Sequence, residues 1–291
     1  MLQTNISQLV KISVLGEVAN PAMPGLPASP YLVAADGTPL VVPTFGGLVY
    51  NVRIGDRAMG WAAELIQPGV SIKHANANTN TALGVFACLG NRARVVGGSA
   101  SGSVGVVTGK SGRFAEHVIC HFAPEAIEKM APGDKVQVQA YGVGLALADF
   151  PTVQFKSLSP ELLEAINPDV SADGKLVVPV KGIVPSTLAG AGAGLGSENG
   201  ALNFQTSDPA ALAAAGLEDV RFGDLVAVMD WDSRFGHGFL RGAVAIGVVC
   251  QGGSFRSGYG PGIAVIMTSR DDAIQPLATS GANIADLLHL A

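Results

Sequence analysis

Three short apolar runs, at 225–229, 243–250 and 263–267, constrain this chain more than any other feature. They read LVAVM, AVAIGVVC and IAVIM, and polar, glycine-bearing turns separate them. Runs of this length, rich in β-branched residues and lacking polar alternation, fit strands covered on both faces. The turns between them collect Asp230, Asp232, Arg234, His237, Arg241, Gln251, Arg256 and Tyr259. Buried strands with reactive side chains on their connecting loops are how folds usually present a site. The stretch 222–268 is therefore read as the organising centre and the candidate functional region.

No apolar run reaches the roughly 18 residues that a spanning helix needs, so no membrane partner is expected. The net charge of −5, with no long Lys or Arg block, argues against nucleic acid. Charged residues make up only 14% of the 291, far below the usual quarter. A chain this poor in charge has difficulty covering its own surface, which predicts a homo-oligomer whose subunits bury part of it. Cys88, Cys120 and Cys250 are odd in number and each lies in or beside an apolar run. They are read as reduced packing residues. The N-terminal MLQTNISQLVKISVLGEV lacks a charged segment followed by a cleavable apolar one, so the expected location is the cytoplasm.

Along the chain, 9–18 reads as a first strand, followed by an extended arm carrying Pro21, Pro24, Pro27 and Pro30. Residues 39–42 and 47–52 read as a strand pair. In 73–81, Asn76, Asn78 and Asn80 alternate with small residues, as in a solvated loop or a strand with one amide-bearing face. A strand is expected at 83–89, a turn at 108–112, and an alternating strand at 135–141. Ser159-Pro160-Glu161 and Asp208-Pro209 are helix starts, and a last helix is expected over 282–290. Gly190, Gly192, Gly194 and Gly196 lack the helix and the phosphate-binding lysine of a nucleotide loop, so they are read as a glycine-packed loop.

Candidate chemistry gathers at four places. Asp230 and Asp232, two apart on one strand, would project from the same face roughly 7 Å apart, able to hold a metal or flank a substrate. His237 follows five residues after Asp232. His117 and His121 would share one ion on a helix, but Val118, Ile119 and Phe122 favour a strand, where the rings stand about 13 Å apart. Either can then face a cleft, and with Asp230 they form the candidate metal set. Gly258-Tyr259-Gly260-Pro261-Gly262 implies a tightly specified loop that presents the Tyr259 hydroxyl, with Arg241 and Arg256 near in sequence to bind an anionic group.

The blocks GDLVAVMDWDSRFG, RGAVAIGVV and GYGPGIAVIMT, preceded in order by LVKISVLGEV, PTFGGLVYNVRIGD, GWAAELIQPGVS, CLGN, VTGKSG and EHVICHF, resemble the domain-of-unknown-function 4438 family of prokaryotic proteins. The resemblance spans nearly the whole chain and implies no established activity. Members are similar at His117, His121, Asp230, Asp232 and the Gly-Pro-Gly turn, and often carry histidine where this chain has Trp231, Gln251 and Tyr259. Any metal role of those extra histidines does not carry over to this chain.

The expected fold is α+β but predominantly β, with twisted or barrel-like sheets and a few short helices. Residues 1–155 and 156–291 form two interlocked β-rich halves. The expected function is a metal-assisted hydrolase of a small polar amide or cyclic amide. Asp230, Asp232, His237 and Tyr259 are the catalytic candidates, and Arg241, Gln251 and Arg256 the substrate-binding ones. The cofactor is a divalent metal ion held by His117, His121 and Asp230. The alternatives are a homo-oligomeric assembly protein and a small-molecule-binding sensor.

Overall fold

Six strands of the first half close on themselves. In the computed structural model, which describes residues 2–23, 29–112 and 116–290, they are β1 (Ile12–Val18), β2 (Gly69–Lys73), β3 (Arg92–Val95), β4 (Val104–Ser111), β5 (His117–His121) and β6 (Lys135–Ala140). The hydrogen-bonded order is β1-β6-β3-β4-β5-β2, and β2 returns to β1, so the ring is a closed antiparallel barrel. Closure removes the unpaired edges that an open sheet must otherwise protect. The interior is filled by Val18, Val70, Ile72, Val95, Val107, Val118, Cys120, Val136 and Val138. The β6 sequence KVQVQA shows why: Val136, Val138 and Ala140 are buried while the residues between them are not.

A helix, α1 (Ala77–Phe86), packs its buried Leu83 into that core. This corrects the strand or loop expected over 73–81 and the strand at 83–89. Asn76 is the N-cap, its side chain accepting from the Thr79 amide. Asn80 reaches back to accept from the His74 amide at 2.7 Å and donates to the Glu116 carbonyl. The expected pair of 39–42 with 47–52 is also replaced: Pro39–Leu40 pairs with Leu32–Val33, and Leu48–Val49 extends the barrel beside β2. In the proline arm, Pro24 and Pro27 lie outside the described residues.

The three apolar runs become the centre of a second sheet. It comprises β7 (Gly182–Val184), β8 (Leu225–Asp232), β9 (Gly238–Gln251) and β10 (Gly262–Ser269), paired in that order. Only the β7–β8 pairing is parallel. Gln154–Phe155 and Leu202–Asn203 add to β10. A small sheet of Asp169–Val170, Leu176–Val180 and Ile274–Ala278 lies beside it. Helices form at Pro160–Ile166, capped by Ser159, and at Pro209–Ala214, capped by Asp208. The last helix is Ile284–Leu287, shorter than the expected 282–290.

One hydrophobic cluster draws on both halves. Leu89 and Ile119 from the barrel side cluster with Val244, Ile246, Val248, Cys250 and Ile266 of the second sheet. The barrel meets that sheet where β4 crosses β9, and a register shift between Val107 and Gly109 turns β4 at that point. Gly109 has no room for a side chain, because an added Cβ would overlap the Cβ of Cys250. All three cysteines are buried free thiols. Among the described residues, no helix is long and apolar enough to cross a membrane.

Gly109→Ala should therefore destabilise the protein by about 1–3 kcal/mol, as overpacking a filled core does. Gly238→Ala, with nothing within 4 Å of the added Cβ, should stay within about 0.5 kcal/mol of the parent. Urea denaturation of the two variants measures the contrast, and equal midpoints would contradict the packing described.

Candidate functional site

The carboxylates expected to act together are engaged in local backbone structure. Asp230 sits at a register shift between β8 and β9 with φ of +53°, and its Oδ1 accepts from the Gly242 amide at 2.8 Å. Asp232 accepts from the Arg234 amide at 3.0 Å and from its guanidinium at 2.8–3.1 Å. The Arg234 hydrogen bond holds this carboxyl below its ordinary range. His237 is buried, its Nδ1 is 2.9 Å from Ser233 Oγ, and burial lowers its pKa against a smaller opposing effect of the Gly200 backbone. Arg241 is exposed on β9.

The proposed metal ligands are not brought together. His117 and His121 stand at opposite ends of β5 in the barrel, and Asp230 belongs to the second sheet. Among the described residues, no three His, Cys, Asp or Glu side chains converge on a point. The donor set does not fit a shared ion.

Tyr259, Gln251 and Arg256 do gather. Glu64, fully buried, accepts from Ser254 Oγ at 2.7 Å, from the Phe255 amide at 2.9 Å and from Arg256 Nε at 3.2 Å. Arg256 then lies over the Tyr259 ring, 4.6 Å from its centroid. This buried carboxylate fixes the loop that presents Tyr259 beside a cavity of about 160 Å³, lined also by Phe45, Leu65, Asn203 and Gln251. The Gln251 and Asn203 amide oxygens converge at Gly262, where an added Cβ would stand 2.6 and 3.1 Å from them. Asn203 Oδ1 is buried and has no hydrogen-bond partner among the described residues.

The glycine-rich run covers one side of this cavity. Gly190 lies against the Gly258 and Phe204 carbonyls and Gly192 against that of Ala201, positions where any Cβ would collide. Its backbone is tied to Asn203 at one end, by Gly190 N–H to Asn203 O at 2.6 Å, and to His237 at the other, by Gly194 N–H to His237 O at 2.7 Å.

A second polar cluster lies under the same loop and was not visible as a site in the sequence. Lys110, read there as a turn residue, is the last but one residue of β4 and is only 2% exposed. Its Nζ donates to Ser157 Oγ at 2.7 Å, to Glu198 O at 3.1 Å and to Val85 O at 3.5 Å. Burial pushes its pKa down to about 8. Next to it, Ser111 Oγ accepts from Gln67 Nε2 at 2.8 Å, and Gln67 Oε1 accepts from Ser71 Oγ at 2.6 Å and from His117 Nδ1 at 3.1 Å. The signal that could have found the cluster was a lysine following directly on the apolar run VGVVTG.

Two family models match the chain, both described as domain of unknown function (DUF4438): the N-terminal one over residues 31–164 and the C-terminal one over 167–288. Among solved structures, the chain is similar to the crystal structure of TM1086, at 38% identity and a TM-score of 0.92, covering 98% of each chain. A search of curated proteins finds no match.

His117 gives this region a pH signature. Burial lowers its ring from 6.5 to about 4, so in that window the unfolded chain binds the extra proton and the folded one does not. Its contribution is complete above pH 6.5 and is lost as pH falls through about 4, a difference of about 3 kcal/mol. Urea denaturation between pH 7 and pH 4 should show a decline that is visibly shallower in His117→Gln.

Proposed function

The chain belongs to the domain-of-unknown-function 4438 family, and we propose that it is a small-molecule enzyme that hydrolyses the C–N bond of a small polar amide or cyclic amide. The substrate sits in the cavity beside Tyr259, Gln251 and Asn203. The observation that carries this reading is Asn203, which lines a small pocket next to a second amide and whose buried Oδ1 has no partner among the described residues. A buried acceptor without a partner costs about 1–3 kcal/mol, a cost that a ligand N–H relieves. The Gln251 amide and Tyr259 hydroxyl supply donors for the ligand carbonyl. An amide offers both halves of that pattern in one planar group, and mostly apolar walls with a few placed polar groups are typical of ligand sites. Three buried free thiols support a cytoplasmic location.

The assembly reading is retained alongside the enzyme, because Val10, Tyr31, Val33, Val41 and Tyr50 are each more than half exposed. We propose that a homo-oligomer covers them. Native mass spectrometry should show a defined multimer, and a monomer at micromolar concentration would remove the proposal.

For the pocket, a thermal-shift screen of primary amides, lactams and cyclic ureides should yield ligands that stabilise the parent. Gln251→Leu and Tyr259→Phe should weaken such a ligand at least tenfold, while Asp230→Asn leaves its affinity unchanged. A ligand indifferent to Gln251→Leu and Asn203→Leu would place binding elsewhere. A ligand recovered intact after long incubation would favour the sensor reading over the hydrolase.

A further inference from the structure

We propose that Ser157 is a nucleophile and Lys110 its general base, forming a serine–lysine pair at the junction of the barrel and the second sheet. The inference rests on the amide-hydrolase reading above and deepens it by naming the reacting groups, none of which that reading assigns.

The geometry has four parts. Lys110 Nζ and Ser157 Oγ are 2.7 Å apart, inside the range required of a base and its nucleophile. Among the described residues, no carboxylate lies within 4.0 Å of Lys110 Nζ, and Glu198 spends its carboxylate on Lys156 at 2.5 Å. The ammonium therefore lacks the partner that would lock it in the charged form, and an unpaired buried lysine is readily deprotonated. Ser157 has φ of +48°, a strained region for a residue with a side chain, and such outliers gather at functional positions. Finally, the Glu198 carbonyl accepts from Ser157 Oγ at 3.1 Å and from Lys110 Nζ at 3.1 Å. A peptide carbonyl of the chain itself thus occupies the place where the carbonyl of an amide substrate would meet both groups. It is carried on the 189–200 loop, whose Ala191, Gly192, Ala193 and Leu195 line the Tyr259 cavity.

The step balances with water alone. Neutral Lys110 takes the proton of Ser157 as Oγ bonds to the substrate carbonyl carbon. The C–N bond breaks, and Lys110 returns that proton to the leaving nitrogen. Water then adds to the ester carbon, giving a proton to Lys110, and the C–Oγ bond breaks as Ser157 regains it. The net change is amide plus water to acid plus amine.

The titratable groups around Nζ are Cys88, Glu198 with its partner Lys156, Cys250, whose thiol donates to Lys110 O at 3.2 Å, and His117 and Glu116 across the cleft lined by Lys110 and Asn199. Burial pushes both thiols up, Cys250 to about 12, and the His117 ring down to about 4. Neither thiol nor imidazole changes charge with Lys110 near pH 8.

The test treats the full chain with diisopropyl fluorophosphate, which phosphorylates an activated serine with loss of fluoride, and maps the adduct by peptide mass spectrometry. The expected result is a single adduct on Ser157, forming faster as pH rises through about 8 and absent in Ser157→Ala. In Lys110→Arg, which keeps the charge and holds its proton, labelling should fall at least a hundredfold in protein that retains parental circular dichroism. Cys88→Ala, a neighbour outside the pair, should label as the parent does. No adduct at pH 9, an adduct on another residue, or unchanged labelling in Lys110→Arg overturns the assignment. Labelled Ser157 in a protein that binds no amide would overturn the substrate reading instead, while amide binding without labelling would overturn the nucleophile alone.

Discussion

The contact of β4 with β9 is the constraint on which the rest of the molecule depends. A closed barrel satisfies its backbone internally, but Ile119 of β5 faces outward from it and has to be covered. The second sheet covers it, and Gly109 lets the two backbones approach until the Cys250 thiol donates to the Lys110 carbonyl. One consequence is that Lys110, the next residue, is enclosed with its ammonium. A shift of its pKa from 10.5 to about 8 corresponds to about 3 kcal/mol of disfavoured charge. Hydrogen bonds to Ser157, Glu198 and Val85 offset what they can, and in doing so they pin the glycine-rich loop onto the barrel. The junction that makes the fold is thus also where the least comfortable charge resides.

Much of the architecture could be read along the chain because its signals are local. The runs at 225–229, 243–250 and 263–267 became β8, β9 and β10, and the Ser159 and Asp208 caps start helices where their side chains accept from the third amide onward. The alternation of 135–141 became β6. What failed was also physical. The asparagines at 76, 78 and 80 looked like a polar loop because capping and helix interior share one polar vocabulary, and the contacts that seat the helix on the barrel, Leu83 in its core and Asn80 on Glu116, 36 residues away, are not local.

The candidate site was legible in part. The loop bearing Tyr259 and the amide of Gln251 were identifiable, since glycines bracketing a proline specify backbone angles wherever they occur. Their partners were not, because Glu64 and Asn203 come from segments that no periodicity links to 251–262. The Asp-x-Asp pair misdirects for a simple reason: spacing alone does not distinguish carboxylates that face a substrate from carboxylates that accept backbone and guanidinium hydrogens, as Asp230 and Asp232 do. Lys110 was concealed by its charge, which in a sequence reads as solvent and in this junction is the opposite.

The glycine-rich loop ties these observations together. Its close approaches at Gly190 and Gly192 require glycine for space, and Gly192 also for its φ of +113°, but what lies along it is unusual. Among the described residues, Ser197 Oγ on the loop and Asn203 Oδ1 after it are buried without a hydrogen-bond partner, as is Trp231 Nε1 on β8, while the Glu198 carbonyl caps the lysine. Each such group costs about 1–3 kcal/mol, so polar capacity is left unused at both Ser197 and Asn203. A core selected only for stability would fill such positions with apolar side chains, since an unsatisfied polar group is worse than a methyl of the same shape. Ser197 and Asn203 nevertheless keep polar atoms on one stretch of chain, between a cavity lined by amides and a buried serine–lysine contact, where apolar side chains would be the more stable choice.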